Sequence, residues 1–552
     1  MILRTAVFGD ASAELQLARQ VTLLGREEAN KRRAPDPWDD LTLPPGVDLA
    51  AIDEAVVAAA RAPGGPIRPG MIADPGSNNW VVSGALSATG KPVVVNDPHR
   101  DVTNPSLRYI VHLNAPGWNV IGAGEVPFAG VAIGHNERLG WGLTIVGTDQ
   151  EDVYVEQLNP ARPNEVRWRD RWEPLRVIRE TIAVKGGDPV VVELKFSRHG
   201  PVFHEDRARG VAYALRSTLL EPGTAPYLGS LRLAQARDCR AFLDAAMFWH
   251  SPSENLICGD VDGNIAWQAS ALTPHRRGWS GRLPVPGNGS HEWAGFRRDL
   301  PRELNPASGL IATANHNIQP PGYTPPLMFK TSTNAAFERI VRLRQLIQPG
   351  RKYTIEDHRR MQLDAYSLRA ASDIPQFRGW TSSNPEVERA RQAVAAWDAV
   401  FSSDSAAAAI YSEWRSASAG AQRDAPMEAR LARAVQTLKA EQGVDPGGWR
   451  WGRTHTRAFP HPFIREFDLP TVERPGGSGT VAADGASYRQ ILDVADWDRS
   501  IVTNTPGQSG QPGSPFYGNL LPLWASDTYF PLVYSRQRIE REAAHRLSLV
   551  PR

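Results

Sequence analysis

A serine placed directly after a glycine, at the head of a strand-forming run, can act as a nucleophile if some group takes its proton. The stretch "DPGSNNWVVSG", residues 74–84, has that form: Gly76-Ser77, then the polar pair Asn78 and Asn79, then Trp80-Val81-Val82. Asp-Pro-Gly-Ser is equally ordinary turn chemistry ahead of a strand. "KPVVVNDPHR" reads as a second strand, and the intervening "SATGK" predicts a hairpin centred near Thr89 that folds residues 96–99 back opposite Ser77. The serine then gains His99 as a neighbour, although a histidine after Asp-Pro is also a common turn residue. The other motif-marked chemistries are missing: the sequence has no phosphate-binding G-x-x-x-x-G-K-[ST], no dinucleotide fingerprint, no H-E-x-x-H and no G-x-S-x-G elbow. "DVDGNI" (260–265) starts like a calcium loop but lacks the later ligands, and reads as a hairpin turn.

These residues need a large scaffold, and the chain supplies one. It has 552 residues, 41% of them apolar and 22% charged, enough on length alone for roughly two to four domains. Lys and Arg total 62 against 60 Asp and Glu, so a net charge of +2 excludes an electrostatic footprint for nucleic acid or an anionic membrane. Two cysteines, Cys239 and Cys258, exclude a disulfide framework and a cysteine-rich metal site but admit one bridge. No run approaches the roughly 20 apolar residues of a membrane span. The first 20 residues lack a signal-peptide pattern, so the chain as written reads as cytoplasmic.

Residues 11–33 have a helical pattern, a second short helix is expected near 50–61, and "RAPGGPIRPGMIADPG" has linker composition. From Trp80 to about 320 the texture is of short strands and turns; "TIAVKGGDPVVVELKF" reads as two strands around Gly-Gly-Asp. Between about 335 and 445 the period becomes helical. Asn384 and Pro385 form a cap and first turn, and Val387, Ala390, Val394, Trp397 and Phe401 recur along one face. Strand and turn texture returns after about 447.

Taken in order, "SNNWVVSG", "GKPVVVNDPH", "GVAIGHNERLGWGLT", "NLICGDVDGNIAW", "GLIATANHNIQP", "GASYRQILDVADWDRS" and "GQSGQPGSPFY" resemble the penicillin acylase family of N-terminal-nucleophile hydrolases over most of 77–552. The resemblance implies an α+β, four-layer αββα sandwich with a helical insertion at about 335–445. It implies that the precursor cuts itself between Gly76 and Ser77, giving an α/β heterodimer: 1–54 as a remnant of the α chain, 55–76 as a spacer and 77–552 as the β chain. Ser77 then carries nucleophile and base together, because a free α-amine with a pKa of about 7.7 to 8.0 can accept the proton of its own hydroxyl. Glycine at 76 would permit the strained turn of an N-to-O acyl shift.

By the same resemblance the oxyanion donors are the backbone N–H of Ile145, with Val146 as its neighbouring candidate, and the side chain of Asn317, the second of the pair Asn315 and Asn317. His99 matches members of cephalosporin-acylase and acyl-homoserine-lactone-acylase type and would orient Ser77. Arg339 in "FERIVRL" matches a substrate-site arginine, although an arginine after Glu in a helix is by default a solvated residue. Asp149 and Asp152 match two ligands of calcium-binding members; a later carboxylate position falls near Met328, whose thioether does not ligate a hard cation. Phe516 stands where a histidine is expected. The implied activity is hydrolysis of the linear amide of an N-acyl compound (a β-lactam side chain, an acyl-homoserine lactone or an acylated peptide) with no organic cofactor, in the periplasm or outside the cell. The short stretch before Ser77 leaves a second expectation: a truncated, unprocessed remnant that serves only as a scaffold or binding protein.

Overall fold

The computed structural model describes residues 11–33, 41–60, 76–126, 128–324, 326–327, 334–417, 425–483 and 485–550. Residues 61–75, most of the expected spacer, and Met328 lie outside the described residues.

Two sheets stacked face to face form the centre. The strand that opens on the Gly-Ser step, Gly76–Val82, runs antiparallel to Val93–His99, with Gly76 opposite His99 and Ser77 opposite Pro98. They sit in a six-stranded sheet in the order Leu310–Thr313, Gly76–Val82, Val93–His99, Tyr488–Asp493, Ile501–Asn504, Phe530–Pro531. The second sheet has seven strands: Arg302–Leu304, Ile265–Ser270, Glu254–Asp260, Leu139–Ile145, Ile133–His135, Trp118–Glu125, Arg108–Ala115.

Side chains alternate across a strand, and the first strand divides accordingly. Val81 joins Val94, Leu143 and Ile257 in the core between the sheets, whereas Trp80 and Val82 pack with Ile340, Leu343 and Met361 of the helices Asn334–Leu346 and Ile355–Gln362. On the far side of the second sheet the helix Cys239–Ala246 packs on Glu254–Asp260 and Ile265–Ser270. Helix, sheet, sheet, helix is thus the layer order, and the strands Gly76–Val82, Val93–His99, Glu254–Asp260 and Ile265–Ser270 are buried along their whole length.

A third sheet contains Glu151–Gln157 and Val211–Ser217 among its six strands. The helices Ala11–Leu24 and Glu54–Ala60 cover it, with Leu15, Ala18, Val56 and Val57 packed against Val153 and Tyr213. The segments around Gly-Gly-Asp form an antiparallel pair, Arg176–Ile182 with Val190–Ser197. Helices from Asn334–Leu346 to Met427–Gln442 follow, and the later ones share a core with Phe377, Val394, Trp414 and Leu431.

The helix Pro385–Ala395 starts on the Asn384 cap, whose side chain accepts from the N–H groups of Glu386 and Val387. It stops short of Trp397 and Phe401, and the chain reverses at Ala399, φ 64°. Both aromatics still reach the helical core, with ring centroids 5.0 Å apart. A helical period extended past the last helical turn because packing, not helix geometry, keeps those two residues apolar.

Candidate active site

Every polar backbone atom of Ser77, and its hydroxyl, has a partner from a different element. The residue is 2% exposed. Its N–H donates to Asn315 Oδ1 at 2.7 Å. Its Oγ receives the backbone N–H of Ile145 at 3.3 Å and Asn315 Nδ2 at 3.2 Å. Its carbonyl oxygen accepts from Arg339 Nη1 at 2.8 Å. Asn315 follows the strand Leu310–Thr313 and sits in the left-handed region at φ 64°, a conformation asparagine tolerates better than most residues and one found where structure holds a functional group in place. Its amide is fixed at both ends, with Nδ2 also donating to the Ile145 carbonyl at 2.9 Å and Oδ1 also accepting from Arg339 Nη2 at 3.0 Å. Burial first, then Arg344 and Arg339, holds the neighbouring His316 down to about 3, so it is neutral beside the site.

The Asn-Asn pair after the serine answers to strand alternation. Asn78 shares a face with Gly76, Asp97 and His99: its Nδ2 lies 3.2 Å from both Asp97 Oδ2 and His99 Nε2, and its Oδ1 accepts from Arg339 Nη1 at 2.7 Å. Asp97 Oδ2 is also 3.3 Å from His99 Nε2, which turns the other ring nitrogen toward Gly76. Asn79 faces the second sheet, where its Oδ1 accepts from Thr313 Oγ1 at 2.6 Å, and Thr313 Oγ1 lies 2.6 Å from Thr144 Oγ1. Asn96 ties the donor strand Leu139–Ile145 to the strand Gly76–Val82, donating to the carbonyls of Asn78 and Leu143, each at 2.8 Å, and accepting from Leu143 N–H at 3.0 Å. A Cβ at Gly142 would come within 2.9 Å of Asn96 Cβ, so glycine there permits this crossing. Buried polar networks of this kind fix register, and in this one Asp97 Oδ1 is left without a hydrogen-bond partner among the described residues.

The arrangement can do nucleophilic acyl chemistry: a hydroxyl with two fixed N–H donors converging on it, and a nitrogen of the same residue held by a carbonyl-type oxygen. The penicillin amidase family model matches residues 2–541. The chain belongs to the penicillin amidase family. Penicillin acylase 2 proenzyme from Pseudomonas sp. (strain SE83) is 30% identical over 96% of this chain and 77% of its own length. Acyl-homoserine lactone acylase QuiP from Pseudomonas aeruginosa is 25% identical over 87% of this chain and 69% of its own. The thermostable penicillin G acylase from Alcaligenes faecalis superimposes with a TM-score of 0.68 at 19% identity, covering 86% of this chain and 99% of that one. The penicillin amidase fold is therefore that of the N-terminal-nucleophile hydrolases, and the protein is an amide hydrolase of this family.

In this chain the expected site residues fall into three groups. Ser77, His99, Ile145 and Arg339 are brought together. Arg339, 4% exposed, touches the Ser77 carbonyl, Asn78 and Asn315, so it holds the Ser77 segment in place. A second group corrects the sequence reading. Asn315, not Asn317, places its amide on Ser77 Oγ, while Asn317 Oδ1 accepts from Gln319 N–H at 3.0 Å in a turn. The N–H of Val146 donates to the Ser253 carbonyl at 3.2 Å, which leaves Ile145 as the backbone donor. Gly76 is extended strand, not a strained turn; a Cβ on it would lie 3.1 Å from Arg339 Nη2 and Asn315 Oδ1, so crowding accounts for the glycine.

Asp149 and Asp152 form a third group away from Ser77. Arg276 Nη2 donates to Asp149 Oδ1 at 2.9 Å and Arg276 Nε to Asp152 Oδ2 at 2.8 Å. Burial raises the Asp152 carboxyl, with the guanidinium opposing. Among the described residues no group of three or more His, Cys, Asp or Glu is disposed to hold a metal ion. Phe516 is half exposed, and its backbone is engaged by Ser509 and Ser514. Sequence reasoning missed Asp97, Asn78 and Asn96. Their signal was the alternation of polar residues on two strands already expected to pair.

Proposed function

We propose that this amide hydrolase is made as a precursor that cuts its own Gly76–Ser77 bond, and that the freed Ser77 then hydrolyses the linear amide of an N-acyl compound with an apolar acyl group. The observation that carries the reading is the threefold hold on Ser77: Ile145 N–H and Asn315 Nδ2 on Oγ, Asn315 Oδ1 on N, and Arg339 on the carbonyl.

In the precursor, Oγ attacks the Gly76 carbonyl carbon, the C–N bond breaks as the nitrogen takes the hydroxyl proton, and water hydrolyses the resulting ester. Ser77 is left with a free amine already anchored on Asn315 Oδ1. A guanidinium bonded 2.8 Å from the Ser77 carbonyl disfavours a second positive charge on that amine, which keeps it available as a base near neutral pH. In turnover the amine takes the Oγ proton, Oγ attacks the substrate carbonyl, and the oxyanion is met by the Ile145 and Asn315 donors. The amine product leaves with the proton, and water attacks the acyl-enzyme to release the acid.

The relatives' names place penicillin acylases and acyl-homoserine lactone acylases around this chain, so the substrate class proposed covers β-lactam side chains and acyl-homoserine lactones. A bridge between Cys239 and Cys258 fits an oxidising compartment, in keeping with a periplasmic or secreted enzyme. The test is Ser77→Ala assayed on N-acyl amides of graded acyl length. Complete loss of hydrolysis, with the precursor left intact, is expected; retained hydrolysis would point to a different nucleophile.

A further inference from the structure

Asp149 and Asp152 follow the donor strand Leu139–Ile145 at the elbow where the chain crosses into the strand Glu151–Gln157, and their types suit a hard cation. The space between them is filled by the protein itself. Arg276 Nε donates to both oxygens of Asp152 at 3.1 and 2.8 Å, and Nη2 to Asp149 Oδ1 and the Glu151 carbonyl, each at 2.9 Å. The three side chains are 5%, 2% and 1% exposed for Arg276, Asp149 and Asp152. Trp293 Nε1 adds a donor to Asp152 Oδ2 at 2.6 Å. A Cβ at Gly281, φ 82°, would lie 2.7 Å from Arg276 Cζ and 2.7 Å from Asp149 Oδ2, so the chain keeps glycine where the guanidinium passes. A calcium ion does not fit these residues as they stand: both oxygens of Asp152 and Oδ1 of Asp149 are engaged by fixed N–H donors, and the guanidinium fills the space between the two carboxylates.

We propose that the Arg276 guanidinium is the built-in cation of this elbow, doing there what a bound divalent ion would otherwise do, so that this protein's stability depends on Arg276 and not on calcium. Four hydrogen bonds from two guanidinium nitrogens match two carboxylates and a carbonyl in a way a spherical ion or a lysine ammonium does not. Removing the guanidinium alone strands two buried carboxylates, whereas removing all three charges together does not.

The experiment is thermal unfolding of the full chain in EDTA and in millimolar calcium chloride, for the wild type, Arg276→Met and the triple variant Arg276→Met/Asp149→Asn/Asp152→Asn. The wild-type midpoint is expected to be the same in both buffers, Arg276→Met to melt several degrees lower, and the triple variant to recover much of that loss. A wild-type midpoint that falls in EDTA or rises with calcium overturns the proposal, as does an Arg276→Met midpoint equal to wild type. Should Arg276→Met not fold, the wild-type comparison, with terbium luminescence as a second readout of a cation site, still decides: luminescence sensitised at micromolar terbium and displaced by calcium counts against the guanidinium, and its absence counts for it.

Discussion

The two ends of one asparagine amide span Ser77, and the consequences at the residue scale are specific. Asn315→Ala removes a donor to Ser77 Oγ and the acceptor of its nitrogen, so kcat should fall by ~100 to 1,000-fold. Asn317→Ala removes the turn contact to Gln319 while the amide on Ser77 Oγ is that of Asn315, so it should leave kcat within a few fold. Steady-state kinetics on the same substrate separate the two; equal losses would contradict the assignment. Asp97→Asn should slow turnover through His99, which Asp97 orients, and the change should appear in the pH profile of kcat/KM. An unchanged profile would reduce Asp97 to a packing role. Ser77 and His99 were legible in the sequence because a Gly-Ser step and an Asp-Pro-His sit at matching ends of one hairpin. The choice between Asn315 and Asn317 was not, because it turns on a single left-handed φ that no spacing reveals.

At the scale of elements, the hairpin, the helical block and the Asn384 cap follow from turn chemistry and period, which are local. The pairing of Leu310–Thr313 beside the strand Gly76–Val82, and the crossing of Asn96 to the donor strand, are contacts between residues far apart in sequence, and local pattern carries no trace of them. The same packing buries histidines in neutral form. His358 Nδ1 accepts from Trp80 Nε1 at 3.1 Å, binding the helix Ile355–Gln362 to the strand Gly76–Val82, and burial lowers it to about 4. Burial likewise lowers His135, stacked on Trp497, and His316 to about 3 each. These folded-state values lie below the unfolded one near 6.5, so the unfolded chain binds more protons and stability is lost as pH falls from about 6.5 toward 4. His199 acts in the opposite sense: burial opposes its charge, but Glu156 and Glu292 on either side outweigh that and raise it. Asp152, whose carboxyl burial raises, acts with His199, so two of these groups oppose three. Urea unfolding midpoints should therefore be lower at pH 5 than at pH 7, by about 2 kcal/mol for each buried neutral histidine before the opposing terms. A flat profile would mean that these rings are solvated in the folded protein.

For the whole molecule, the order of short motifs along 77–552 made the family legible, while single motifs did not. The layers are held together by few covalent devices. One is the Cys239–Cys258 bridge, which pins the first residue of the helix Cys239–Ala246 to the strand beside the Ile145 donor strand. With a sequence separation of 19 between the cysteines, reduction should cost about 3 kcal/mol by loop-closure entropy, read as a lower urea midpoint in dithiothreitol. The claim on which catalysis depends is cleavage before Ser77, and the direct measurement is intact mass and N-terminal sequencing of purified, active protein. The account predicts two polypeptides, one of which begins Ser-Asn-Asn-Trp. Full activity in a preparation whose Gly76–Ser77 bond is unbroken would contradict it.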